Sequence, residues 1–338
     1  MKKLLILSGL MTAVTISLLS STQLWKKSLI EDASPEYVWQ QLAPPGSGTH
    51  QHEWKEGTYP SAIVPVNAFD EKLWMIGRKR AWSSNDGIRW DVFDKHDWGE
   101  RISMNTVFFK GTLLISGGMD YSSGRFLNEI WASSDGTTWK KSVANAAWQP
   151  RKGQTIIEFN GRLWLFGGET GVDEHKAPNQ FINDIWSSDD GLNWIKVADE
   201  APWQVRGQPQ VVVFQKQLWL IGGQGLSDVW KSLDGKTWSK IVDHCPWGNR
   251  YDYGLNVFDG RLWVFGGRQA DPHKAYRDVW SSHDGLTWKL ESAEAPWTAR
   301  SGNFSVTFND KLLLYGGKHT GHNDSFSGDI WALTRTNN

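Results

Sequence analysis

Cysteine is nearly absent from this chain. Cys245 stands alone among 338 residues, which excludes an internal disulfide framework and any cysteine-ligated metal cluster. An excess of either charge is missing too: 36 Lys and Arg against 37 Asp and Glu leave a net charge of −1. That balance gives no electrostatic footprint for nucleic acid or an acidic surface. Beyond Leu24 no apolar run compares with the one at the N-terminus. Nucleophile elbow, phosphate-binding glycine loop and zinc-protease helix are absent as motifs, so the common catalytic signatures are excluded.

Tryptophan and glycine are plentiful, at 23 and 34 residues. The glycine suits a fold of many turns. At the N-terminus, Lys2 and Lys3 precede the apolar residues 4–19, the layout of a secretory leader. Residues 1–22 therefore read as a signal peptide or, being just long enough to span, as an uncleaved inner-membrane anchor. Residues 23–36 read as a linker and 37–335 as the folded domain. The expected location is the periplasm or the exterior, with a membrane contact only if the leader is retained.

One phrase recurs through the domain: DIWSSDDGLNW (184–194), EIWASSDGTTW (129–139), DVWKSLDGKTW (228–238) and DVWSSHDGLTW (278–288), with a weaker RAWSSNDGIRW at 80–90. Asp-Gly supplies the positive φ of a tight hairpin between two strands. A second phrase precedes the copies and recurs once after the last: GTLLISGG (111–118), GRLWLFGG (161–168), KQLWLIGG (216–223), GRLWVFGG (260–267) and DKLLLYGG (310–317). EKLWMIG (71–77) is the same strand with Arg78 in place of the second glycine. The first glycines fall at 77, 117, 167, 222, 266 and 316, a period near that of propeller blades and unlike that of helical repeats. The expected fold is all-β, a six-bladed β-propeller of four-stranded blades. The last unit lacks a fourth strand, and YVWQQLAP (37–44) has the look of one without a preceding third. The N-terminal strand is thus expected to close the last blade and leave no free edge.

The glycine pairs and the acid-Ile/Val-Trp that follows them resemble the Kelch repeat, over nearly the whole domain. The hairpin, read as Ser187-x-Asp189-x-Gly191-x-x-Trp194, also resembles the Asp-box of sialidase-like propellers, where it is a structural turn. The Kelch resemblance implies a fold more than an activity. Copper-oxidase Kelch relatives use a cysteine cross-linked to tyrosine with His and Tyr ligands, and Cys245 has no matching set here. No cofactor and no metal are expected. The leading expectation is a non-enzymatic scaffold that binds a protein or a glycan. The alternative is a mutarotase or epimerase of acidic sugars, like the exported Kelch propellers that interconvert sialic acid anomers.

Strand order places the connections between strands two and three, and from strand four to the next blade, on one side: the loop face. Five copies of Trp-x-x-Arg fall there, ending in Arg101, Arg151, Arg206, Arg250 and Arg300. A ring of guanidiniums suits a carboxylate or phosphate. Bonding to loop carbonyls and stacking on tryptophan is the alternative. Arg151, Arg206 and Arg300 are the expected ligand contacts. Among the nine histidines, His175, His273, His319 and His322 lie in the longest loop-face segments as further candidates for binding or acid–base work.

Overall fold

The computed structural model describes residues 36–44, 60–64, 71–94, 97–171, 180–269, 274–319 and 327–336. Cα packing divides the chain in two: Trp39–Leu333, and a small unit of Met1–Val38 with Thr334–Asn338. In the small unit, the Thr336 N–H donates to the Glu36 carbonyl at 2.9 Å and Arg335 lies 3.6 Å from the Glu36 carboxylate.

Strands fill the large unit in six antiparallel sheets, the blades of a β-propeller. Blade 1 comprises Pro60–Val64, Leu73–Gly77, Arg80–Ser84 and Asp91–Asp94; blade 2, Asn105–Phe109, Thr112–Ser116, Ile130–Ser133 and Lys140–Val143. Blade 3 comprises Thr155–Phe159, Arg162–Thr170, Gln180–Ser188 and Ile195–Ala198, with Arg151–Lys152 added beside its second strand. Blade 4 holds Gln210–Phe214, Gln217–Gly223, Leu226–Ser232 and Ser239–Val242, and blade 5 holds Gly254–Phe258, Arg261–Phe265, Val279–Ser282 and Lys289–Ser292. Blade 6 is Phe304–Phe308, Lys311–Tyr315 and Ile330–Arg335, with Tyr37–Ala43 as its outer strand. First strands of successive blades lie side by side, and that of blade 6 meets that of blade 1, so the ring is closed. Among the described residues no helix is long and apolar enough to cross a membrane.

Second strands are apolar on both faces because each is covered by a blade on either side; Leu73–Gly77 and Arg261–Phe265 are buried throughout. The cores lie between blades: one cluster joins Trp164 and Phe166 of blade 3 to Leu218 and Trp230 of blade 4, and another joins Leu313 of blade 6 to Met75 and Trp82 of blade 1.

Tryptophans pair in a fixed way. Trp98, Trp148, Trp203 and Trp247, from the blade-entering connections, meet Trp139, Trp194, Trp238 and Trp288 edge to face at 5.0, 6.4, 4.8 and 6.0 Å, the arrangement that ring quadrupoles favour. Trp297 finds its partner in Trp39, at 5.9 Å and 84°. The N-terminal strand thus supplies the tryptophan that the last repeat lacks.

Each Asp-Gly turn is built from one serine and one aspartate. In blade 3 the Gly191 N–H donates to Ser188 Oγ at 2.8 Å, Ser188 Oγ donates to Asp190 at 3.1 Å, and Asp190 accepts from the Leu192 and Asn193 N–H groups. Ser84, Ser133, Ser232 and Ser282 do the same with Asp86, Asp135, Asp234 and Asp284. The sequence motif assigned this role to Ser187 and Asp189. The structure shifts it by one residue, and Asp189 pairs with Arg162 at 2.7 Å. Pairing of the second and third strands of blade 3 continues past the glycines to Thr170 and resumes at Gln180.

The turn glycines pack against the preceding blade. A Cβ on Gly235, at φ +76°, would lie 2.6 Å from the buried Trp164 ring. Gly235→Ala should therefore cost about 2–4 kcal/mol, from the left-handed backbone and from overpacking, read as a drop in the urea midpoint with unchanged m-value. Deleting residues 1–44 should lower the melting midpoint by roughly 5 °C or more, because it removes Trp39 and exposes the edge of blade 6. An unchanged midpoint would show that the ring does not depend on this closure.

Candidate functional site: the loop face

The five repeated arginines occupy equivalent, deeply buried places, none more than 2% exposed. Each lies 16 residues before the first glycine of its blade's pair and donates from Nη1 to that glycine's carbonyl: Arg101 to Gly117, Arg151 to Gly167, Arg206 to Gly222, Arg250 to Gly266 and Arg300 to Gly316. Each also pairs with the acid two residues before the third strand's tryptophan, at 2.6–2.9 Å: Glu129, Asp184, Asp228, Asp278 and Asp329. In blades 3 to 6 the pair is two-pronged, both guanidinium nitrogens meeting both carboxylate oxygens. The same acid accepts from the indole of the tryptophan two residues on, Trp131, Trp186, Trp230, Trp280 or Trp331. Nε donates to a connection carbonyl, as Arg300 does to Thr298 at 3.0 Å.

The backbone of the arginine reaches the other way. Gly118 of blade 2 donates to the Arg151 carbonyl, and Gly267 of blade 5 to that of Arg300, both at 2.8 Å. One residue thereby ties two blades, its main chain to one and its side chain to the next. The constant interval from arginine to glycine was visible in the sequence as a signal of this clamp; the acid's part in it was not.

Blade 1 departs from the pattern. Arg80 stands where the other blades carry the acid and pairs with Asp94 at 2.5 Å. Arg78 replaces the second glycine; its guanidinium lies 3.2 Å over the Tyr121 ring and 2.6 Å from Glu100, which also pairs with Lys79. Further ion pairs stand on this face between Lys152 and Glu169 (3.7 Å) and between Arg268 and Asp252 (2.9 Å). Aromatic rings accompany them: Tyr276 lies 4.1 Å from the Arg250 guanidinium, and Tyr251 lies 5.6 Å from that of Arg268.

Of the candidate histidines, His319 is half-buried with Nδ1 3.3 Å from the Ala299 carbonyl, while His175, His273 and His322 lie outside the described residues. No group of three or more His, Cys, Asp or Glu suited to a metal ion occurs among the described residues. Cys245 is buried, and burial pushes its thiol up to about 12, far from the reactive thiolate.

Fold and face together define a six-bladed β-propeller whose repeated charges knit the blades and whose departures from the repeat gather on the loop face. No protein-family profile matches the sequence, and no curated protein matches it. Among solved structures, that of YjhT is similar, with a TM-score of 0.67 over 82% of this chain and 96% of that one at 18% identity. A likeness at that identity speaks for the fold alone.

Two expected outcomes test the clamp. Asp329→Ala leaves the buried Arg300 charge without its carboxylate and should cost about 3–5 kcal/mol, measured by chemical denaturation. The second is acid sensitivity. Burial acts to raise the Asp228 and Asp329 carboxyls, but the hydrogen bonds and charge of Arg206 and Arg300 outweigh it and hold both below the ordinary 3.8. In the turns, slight burial is likewise outweighed by backbone N–H donors, leaving Asp135 and Asp190 at about 2. A carboxyl depressed by folding stabilises above its unfolded pKa and loses that contribution as pH falls through its folded one. The melting temperature should thus hold from neutrality to about pH 4 and fall between about pH 4 and 2, with a shallower fall in Asp135→Asn and Asp190→Asn.

Proposed function

We propose that this protein is an exported Kelch-type propeller that acts as a non-enzymatic scaffold, binding a glycan or protein partner through its loop face. One observation carries the reading: side chains that repeat blade by blade are engaged in holding blades together, while those that break the repeat, Arg78, Tyr121, Lys152, Arg268 and Tyr276 among them, lie on one face. Binding functions sit on loops held by a rigid frame. The double glycines followed by an acid-x-Trp strand support the Kelch assignment, and the Ser-x-Asp-Gly hairpins support the Asp-box one. Export rests on the leader-like residues 1–22.

The acidic-sugar isomerase reading has weaker support. The arginines that would meet a carboxylate, Arg151, Arg206 and Arg300, are 0–1% exposed and paired internally.

Binding to a glycan array and to a library of exported proteins tests the scaffold, with substitutions on opposite faces. Lys152→Ala or Arg268→Ala on the loop face should weaken capture by about 1.5–3 kcal/mol where the side chain meets a charged group. Asp189→Ala and His283→Ala in the hairpins should leave it unchanged. Capture sensitive only to the hairpin variants would refute the assignment of the face. NMR exchange spectra showing catalysed anomer interconversion of an acidic sugar would replace the scaffold by the isomerase.

A further inference from the structure

The connection between second and third strands differs sharply among blades. In blade 1 only Arg78 and Lys79 join Leu73–Gly77 to Arg80–Ser84, and in blade 4 only Gln224 and Gly225 join Gln217–Gly223 to Leu226–Ser232. The other four blades carry longer connections whose described parts form extra pairing on the loop face. Met119–Asp120 pairs with Arg101–Ile102, Glu169 and Thr170 with Phe181 and Gln180, Arg268–Gln269 with Lys274–Ala275, and Lys318 with Ser301. First strands succeed one another around the ring in blade order, so blades 1 and 4 stand opposite each other. Blade 4 is therefore low between blades 3 and 5, whose connections carry extra pairing on this face. This is a trough between the blade 3 and blade 5 connections.

At blade 4 its floor is glycine and its chemistry is amide and aromatic. Gly207 does not need glycine for its backbone angle, since its φ is not positive. It needs glycine for space: a Cβ there would lie 2.4 Å from Gln224 Oε1 and 2.8 Å from the Phe181 ring. Phe181 descends from the blade 3 wall and remains 38% exposed. From the blade 5 side, the Tyr251 hydroxyl lies 2.9 Å from where a Cβ on Gly225 would be. Gln180 and Gln208 are exposed around this floor, Gln208 being held by its N–H bond to the Gly153 carbonyl at 3.0 Å. Among the described flanking charges, Lys152 pairs with Glu169 and Arg268 with Asp252, while Lys274 lies 4.9 Å over the Tyr276 ring.

We propose that this trough at blade 4 binds an uncharged linear polysaccharide. Amide side chains offer both a donor and an acceptor to sugar hydroxyls, and aromatic faces take the apolar C–H faces of pyranose rings. The internally paired ions leave little charge to reward an anionic ligand. A trough running between two raised connections suits a chain over a single ring. The inference rests on the loop-face reading and narrows it to one ligand class and one place.

The test is titration calorimetry of the purified protein with cello-, malto-, manno- and xylo-oligosaccharides of increasing length. Sialic acid, polygalacturonate and unstructured peptides serve as the other arms. The expected result is binding to a neutral series, tightening with chain length and unchanged between ~0.05 and ~0.5 M NaCl. Phe181→Ala and Gln224→Ala should each weaken it roughly two- to tenfold at unchanged melting temperature. Absence of binding to every neutral series, a preference for peptide, or affinity indifferent to both substitutions overturns the proposal. So does binding confined to acidic sugars with steep salt dependence. In that case sensitivity to Lys152→Ala or Arg268→Ala would keep the loop-face reading alive, whereas sensitivity confined to Asp189→Ala or His283→Ala would end both.

Discussion

The structure depends on a buried ion pair used five times. A propeller blade is a small twisted sheet with little core of its own, so its stability resides at contacts with its neighbours. Apolar packing supplies most of the attraction but does not by itself fix one blade's height and rotation against the next. The arginine clamp does. Its guanidinium is planar and its donors are fixed in direction; a carbonyl, a carboxylate and a connection oxygen satisfy it together only at one setting of three segments. Because the carbonyls of Arg151 and Arg300 are bonded to the preceding blade, that setting passes from blade 2 to blade 3 and from blade 5 to blade 6. Burying such a charge is tolerable because its partners are complete.

The opposite face is organised differently. There the serine–aspartate turns close each outer hairpin with bonds that stay within five or six residues, and glycine lets the turn rest on the neighbouring blade's second strand, as Gly136 does on Trp74 and Gly285 on Trp219. Cross-blade bonds add to this, as from Lys110 to the Asp189 carbonyl and from Gln215 to that of His283. Both ends of the ring are thus fastened by repeated devices. Among the described residues, the second-to-third strand connections rise above the clamp and vary from blade to blade.

Those connections are where the repeat breaks. Arg78 occupies a glycine position and Arg80 an acid position in one and the same blade, so blade 1 has exchanged the clamp for a local arrangement with Asp94, Glu100 and Tyr121. Blade 4 has reduced its connection to two residues. These two departures stand on opposite sides of the axis, between four blades with longer connections.

Most of the fold was legible in the sequence. Strand two announces itself by LWLF-like runs ending in two glycines, the outer hairpin by Asp-Gly between tryptophans, and ring closure by a stray fourth strand at residues 37–43. These are local signals with local causes: alternation, positive φ, and a period that counts blades. Local reading missed by one the serine and aspartate of the turn, since Ser187 and Ser188 are adjacent and only hydrogen bonding distinguishes them. It also left open whether the five arginines face a ligand or the scaffold. A guanidinium has the same letter in both places, and its carboxylate partners lie 22 to 33 residues away along the chain. The sequence by itself determined the blades and their number. Tertiary structure alone decided which charges are buried in pairs, and which glutamines and rings meet over blade 4, because those meetings join connections of different blades that only closure of the ring brings together.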